Sequence, residues 1–382
     1  MSDRMASVEA LGLNPEKVEA LLDRVRREVD NGLLPAAQVA LARNGKVAVA
    51  ESYGSASNES LICIFSATKG IVCAAAWILF QEGKLAEYEK VADIIPEFGS
   101  HGKDQVTVQQ LFTHTAGFPS APFAPLEWNL KEETLGRFAQ WHLNWSPGSK
   151  YEYHPTSTMW VIAELIERRG GQVYTEFIRQ RVLAPLGLHR TFVGLPAAQN
   201  QRVLPVEHCG ESMTPEDYKK LGMPVLSETE VTEDALLAFN LPDVRAVGVP
   251  AAGGFTCAQD LALFYQALLH GGLDGVEIWN ETTRSSARKI RTGSFTDTLF
   301  NTLANRGLGV VISGDESRNF RGFGTSNSPK AFGHNGAGCQ LAWVDPETGI
   351  SLAYLTPGHD RNISRQVRRS VAIGTLAADC AL

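Results

Sequence analysis

At 382 residues the chain is longer than a typical single domain, so two lobes or one elaborated domain are expected. With 44% hydrophobic and 20% charged residues and a formal charge of -7, the composition is that of an ordinary soluble globular protein. No window approaches the roughly 18 uninterrupted apolar residues of a membrane span, and no basic block is available to neutralise nucleic-acid phosphates, so neither partner is expected. The opening stretch MSDRMASVEALGLNPEKVEALL lacks the basic head, apolar middle and small-residue cleavage site of a secretory leader, which points by default to the cytoplasm. The six cysteines (63, 73, 209, 257, 339 and 380) contain no C-x-x-C pair, an arrangement that suits reduced packing residues better than disulfides or a zinc cluster.

Asn14 and Pro15 read as a cap and a first helical residue, and Val18, Leu21, Leu22, Val25 and Val29 recur at helical spacing until Gly32. The stretch AAQVALARNGKVAVAESYG then holds two partly alternating β-branched runs joined at Asn44-Gly45, a strong hairpin signal. From Gly70, GIVCAAAWILFQEGKL is apolar on nearly every face, as in a helix at the centre of a protein, and Gly83 is placed to end it. Between about 70 and 250, helical patterns such as STMWVIAELIERRGG and VYTEFIRQRVLAPLG alternate with Pro- and Gly-rich loops, PSAPFAPLE among them. Strands return in CQLAWVDPETGISLAYLTPG, which folds about Asp345-Pro346-Glu347-Thr348-Gly349, and a last helix is predicted near 361–379. The predicted layout is α+β: an antiparallel sheet lobe flanked by terminal helices and built from 1–69 and 250–382, with a mostly helical lobe, 70–249, inserted and the active site at their interface.

Three segments carry the chemistry. In IFSATKGIV, Ser66 and Lys69 stand three apart where a polar stretch becomes a helix; at that spacing their side chains meet, and the helix start favours developing negative charge. A serine hydroxyl needs a base, and the lysine is within reach. About one or two Ser-x-x-Lys matches are expected by chance in a chain of this composition, and a second does occur at Ser286 and Lys289, in the cationic surface stretch RSSARKIR. The motif alone therefore fits a helix cap as well as a catalytic pair. Tyr153, in WSPGSKYEYHPTSTMWVIAELIE, lies in a Pro- and Gly-marked loop just before a helix, from which a phenol can project into a cleft. In AFGHNGAGCQLAWV, small residues surround His334, Asn335 and Gly336, so a substrate can approach the backbone closely.

In this order the three segments resemble the serine β-lactamase and penicillin-binding-protein superfamily, in its class C-like esterase branch (family VIII esterases). LFTHTAGFP at 111–119, APLGLHRTFVGLP at 184–196 and PAAGGFTCAQDLALF at 250–264 add to the likeness, which spans about residues 35–357. The resemblance implies Ser66 as acylated nucleophile, Lys69 as its activating partner and Tyr153 as general base. It also implies an oxyanion hole from the backbone N–H groups of Ser66 and Ala337, with His334, Asn335 and Gly336 binding substrate. A free phenol titrates near about pH 10, so a phenolate base at neutral pH requires positive charge close by, such as the Lys69 ammonium.

Two departures from the family pattern bear on substrate. His154-Pro155 follows the tyrosine where β-lactamases carry asparagine one residue further on, and His334-Asn335-Gly336 stands in place of Lys-Thr-Gly. The lost amide and charge would hold a β-lactam's side chain and carboxylate, so an uncharged small to medium ester is expected in preference to a penicillin. His334 then reads as a neutral donor near the tyrosine or as a packed strand residue. The expected activity is a carboxylesterase. An amidase, weak β-lactamase or acyltransferase with the same acyl-serine chemistry is the alternative, and a non-catalytic binding protein on this fold is the alternative of another class. His114 is expected to bond its loop, and one or two of Trp128, Trp141, Trp145 and Trp160 to face an acyl pocket, with PSAPFAPLE as a lid or a plain connection. There is no G-x-S-x-G, H-E-x-x-H, complete G-x-G-x-x-G or Walker A sequence, so no cofactor and no metal are implied.

Overall fold

The Asn14 side chain accepts from the N–H groups of Glu16 and Lys17 and so caps helix α1 (Pro15–Asp30), with Pro15 in the first turn where no donor is needed. This computed structural model describes residues 4–122, 127, 131–220, 222, 232–298 and 300–382. Strands β1 (Ala36–Arg43) and β2 (Lys46–Gly54) are joined at Asn44 and Gly45, both left-handed with φ of 54° and 72°, the geometry of a two-residue hairpin turn.

The large sheet is completed from the other end of the chain. Strands β3 (Val311–Ile312), β4 (Phe332–Gly333), β5 (Leu341–Val344) and β6 (Ile350–Leu355) follow in that order, β6 pairs with β1 from Gln38↔Leu355 to Arg43↔Ile350, and β2 lies at the far edge; every neighbour is antiparallel. Both faces of the sheet are covered. Val39 and Leu41 point into a core shared with α1 and the last helix, α5 (Ile363–Ala378), while Ala40 and Ala42 point into a larger core containing helices α2 (Thr68–Gln81), α3 (Ser157–Gly170) and α4 (Ala258–His270). That is why β1 reads as almost continuously apolar.

α2 is buried on all sides, as its unbroken apolar run requires, and Gly83 (φ 67°) turns the chain away beyond its end. Among the described residues, the segment between α2 and α4 is helix, loop and three short strands. Phe192–Val193 pairs with Gly254–Thr256, and Glu207–Cys209 pairs with Gly358–Asp360. At the termini, Arg369 of α5 is buried between Glu28 of α1 (2.8 Å) and Asp360 (3.0 Å). Among the described residues no helix is long and apolar enough to cross a membrane.

Candidate active site

Ile62–Cys63 pairs with Gly254–Thr256, and the chain then makes a tight 3₁₀ turn, Phe65–Ala67, before α2 begins at Thr68. Ser66 sits in that turn, one step ahead of the helix that carries Lys69. Its neighbour Phe65 is in the left-handed region (φ 44°), a conformation that costs a non-glycine residue roughly 1–3 kcal/mol. The Phe65 ring is buried edge-on against Phe239 at 5.7 Å, and this packing holds the turn.

Lys69 is fully buried, and its Nζ donates to Ala251 O (3.0 Å) and to Ser66 Oγ (3.1 Å). Tyr153 OH stands 3.0 Å from the same Oγ. The tyrosine loop is laced to His114: Glu152 N–H donates to His114 O (3.2 Å) and His154 N–H donates to His114 Nδ1 (3.2 Å). His154 in turn accepts from Phe118 N–H at Nε2 (3.1 Å), with its Nδ1 2.6 Å from Glu152 O. These bonds need neutral imidazoles. Burial supplies that condition by pushing the His154 pKa to about 3 and the His114 pKa well below its ordinary value. His154 is thus a buried brace for the loop, and Pro155 after it stands where the family pattern has its amide.

Burial alone would raise the Tyr153 phenol. The charge and hydrogen bonding of Lys69, the bond to Ser66 and the charge of Arg306 outweigh it, so the phenol lies below its ordinary value. Lys69 Nζ is 5.1 Å from the centre of the tyrosine ring.

Opposite, the line of β4 continues to Gly336, which bridges to Gln340. His334 N–H is held by Ala342 O (3.1 Å) and Tyr265 OH (3.0 Å). The imidazole stays neutral through burial and the nearby charges of Arg306 and Lys69. Its Nδ1 lies 2.8 Å from Asn335 O, which places the ring proton there and leaves the buried Nε2 as an acceptor without a partner among the described residues. The single N–H of the ring is therefore directed at Asn335 and away from the tyrosine. The Asn335 amide is also spoken for, donating to Arg321 O (2.9 Å) and accepting from Ala342 N–H (3.2 Å).

Gly336 brings this strand against the nucleophile turn. A Cβ there would lie 2.1 Å from Ile64 O, two residues before Ser66. Gly336→Ala is expected to displace either the strand or the turn, lowering any turnover at Ser66 at least tenfold and stability by roughly 1–3 kcal/mol, read from kcat and the urea midpoint. Neither the Ser66 nor the Ala337 N–H is taken by a backbone carbonyl among the described residues, and both residues line the same cavity.

That cavity has a volume of about 500 Å³, within the usual range for small-molecule sites. Besides the expected residues, its walls include Arg306 and Arg321 and an apolar rim of Leu303, Phe300 and Phe320, the last two stacked at 5.8 Å. No sequence motif marks these residues; Phe300 and Phe320 belong to separate turns that only the fold brings together. No described tryptophan lines the cavity. Trp141 and Trp160 are in the core, and Trp145 lies beneath the Lys150 ammonium; Trp128 and residues 123–126 of the PSAPFAPLE loop lie outside the described residues. The second Ser-x-x-Lys pair is remote from this chemistry, with Ser286 Oγ accepting from Arg291 (2.9 Å). All six cysteines are free thiols, and the described residues contain no cluster of three or more metal-ligating side chains.

Comparison with known proteins gives the family and the fold. The Beta-lactamase family model matches residues 21–375. The esterase/beta-lactamase LipL of Mycobacterium tuberculosis is 27% identical over 81% of this chain and 71% of its own. Among solved structures, a penicillin-binding protein homolog from Caulobacter crescentus superposes with a TM-score of 0.78 at 27% identity, covering 96% of this chain and 98% of that one. A family VIII carboxylesterase shares the fold at the same TM-score and 24% identity, with 96% and 98% covered. The chain belongs to the β-lactamase family and is built on the fold of the serine β-lactamase-type hydrolases.

Proposed function

We propose that this hydrolase is a carboxylesterase working through an acyl-enzyme on Ser66. The observation that carries the reading is the convergence of Tyr153 OH and Lys69 Nζ on Ser66 Oγ, at 3.0 and 3.1 Å, on the floor of a cavity. Tyr153, as phenolate, takes the hydroxyl proton while Oγ bonds to the ester carbonyl carbon. The resulting oxyanion is received by the N–H groups of Ser66 and Ala337, each such donor contributing on the order of 3 kcal/mol. The tetrahedral intermediate collapses, the alcohol departs with the proton held by Tyr153, and water enters to release the acid by the same base. A neutral His334 where β-lactamases place a lysine favours esters, whose alcohols leave more readily than amines.

Tyr153→Phe is expected to lower kcat/KM for an ester about 10²- to 10³-fold. In the wild type the base form is needed, so activity falls as pH drops through the Tyr153 pKa, and that pKa lies below the ordinary phenol value. The phenylalanine variant should lose this acid limb, as a kcat/KM profile against pH will show.

The deciding experiment is rapid mixing with a short-chain p-nitrophenyl ester, followed by quenching and mass analysis of the peptide containing Ser66. A stoichiometric burst with an acyl adduct on Ser66 is expected. Turnover with the adduct on another residue would overturn the assignment, and absence of any turnover would overturn the esterase reading.

A further inference from the structure

Arg306 is nine-tenths buried in the wall of the Ser66 cavity, in the short loop that bridges back to Val311. Its Nε donates to Tyr151 OH (3.1 Å), and its guanidinium carbon lies over two aromatic rings, 5.7 Å from the centre of Tyr151 and 5.3 Å from that of Tyr153. Among the described residues its terminal nitrogens meet no hydrogen-bond acceptor and no carboxylate stands within ion-pair distance.

The other buried arginines differ. Arg190 is paired with Asp260 and Glu59, Arg369 with Glu28 and Asp360, and Arg318 with Glu316 and Asn327 O, while Arg245 donates to Phe239 O and Asn200. Arg321, in the same cavity, is clamped by Asp315. Among the described residues the Arg306 side chain has one hydrogen-bond partner, the neutral Tyr151 oxygen, so no direct ion pair neutralises the charge it holds over the Tyr153 ring. Of the two acids in the cavity wall, Glu152 receives Lys150 (2.8 Å), while Asp297 accepts from Tyr151 OH (3.5 Å) and acts on Arg306 only from beyond ion-pair distance.

Tyr153 is flanked by charged groups of one sign. Lys69 reaches it from α2 and Arg306 from the loop before β3; the imidazoles of His114 (4.7 Å between ring centres) and His334 (6.3 Å) complete its surroundings, both neutral through burial, and His154 beside it is neutral for the same reason. We propose that Arg306 is a positioning residue for catalysis: held by Tyr151, it supplies a second positive charge to Tyr153, with the phenolate as its counter-ion. Arg306 thus returns to the site, from another strand loop, a cation of the kind that His334 does not provide. The inference rests on the general-base role given to Tyr153 above. The direction of the Tyr153 shift agrees with it, Arg306 being among the groups that lower that pKa.

The test compares wild type, Arg306→Gln and Arg306→Lys in two measurements. The first is the pH profile of kcat/KM for a neutral p-nitrophenyl ester and for mono-p-nitrophenyl glutarate, which carries a carboxylate. Arg306→Gln is expected to move the acid limb to higher pH by roughly one unit, giving about a tenfold loss at pH 7 that disappears at high pH, equally for both esters, with partial restoration in Arg306→Lys. A loss uniform across pH would reduce Arg306 to a packing role, and a loss confined to the glutarate ester would make it a substrate anchor; either overturns the proposal. The second measurement is independent of turnover: the ultraviolet tyrosinate titration of the Ser66→Ala protein, with and without Tyr153→Phe to isolate the residue. A Tyr153 titration that Arg306→Gln leaves in place refutes the inference even if the ester chemistry stands. A shifted titration in a protein that hydrolyses no ester would leave the inference standing and reject the esterase reading.

Discussion

Ser66→Ala is expected to lower ester turnover by on the order of 10⁴-fold or more, the scale seen when a covalent nucleophile is removed from an otherwise intact site. The hydroxyl faces the cavity, and what it loses is its contacts to Lys69 and Tyr153. Lys69 keeps its bond to Ala251 O, so no buried ammonium is stranded and stability should change by no more than about 1 kcal/mol. The burst should vanish along with steady-state turnover, while the urea midpoint stays in place. Residues that act on one proton are not additive. The Ser66→Ala, Tyr153→Phe double variant should accordingly be no slower than Ser66→Ala alone. Retention of activity within tenfold of wild type would dismiss the acyl-serine route altogether.

The largest effect on stability is expected at the contact between α1 and α5. Arg369→Met removes the guanidinium that joins Glu28 on α1 to Asp360 ahead of α5, leaving two buried carboxylates to the remaining arginines, Arg24 on Glu28 and Arg365 on Asp360. Breaking one partner out of such a buried cluster costs about 3–5 kcal/mol, measurable as a lower urea midpoint at unchanged slope. The pH dependence has a definite sign. Burial pushes the Asp360 carboxyl up, but the bonds from Arg365, Asn362 N–H and Arg369 prevail and hold it below the usual value. Its stabilisation is therefore present above the unfolded carboxylate pKa and is lost as pH falls through the lower, folded one. In Arg369→Met that loss should begin at higher pH. The gap between the two proteins should then narrow in acid, once both carry a protonated Asp360.

What the sequence discloses depends on whether a feature is local. The Asn44-Gly45 turn fixes a hairpin by two residues' backbone preference, and α2 announces itself through an apolar run too long for a surface helix. The superfamily fold was legible from three ordered segments, and the comparisons return the same fold. β3 and β4 are two residues each, too short for any period to show; β4 takes its place from pairing with β5, and β3 from pairing with β4. Tryptophans at helical spacing look alike whether they face a pocket or the core, and those described are not in the cavity wall. Arg306 precedes a glycine in an ordinary-looking turn; only the approach of its loop to Tyr151 and Tyr153 gives it a part in the site.

The pairing of β1 with β6 has a consequence for how this molecule comes into being. The first hairpin leaves the ribosome with the inner edge of β1 bare, because the strand that covers it is encoded near the opposite terminus. At about 5–20 residues per second, that edge waits for tens of seconds. During the interval Val39 and Leu41 lack both their neighbouring strand and the helix α5 that later roofs them, which is the kind of surface that pairs with other nascent chains. Closure of the sheet is thus a late, long-range event in synthesis.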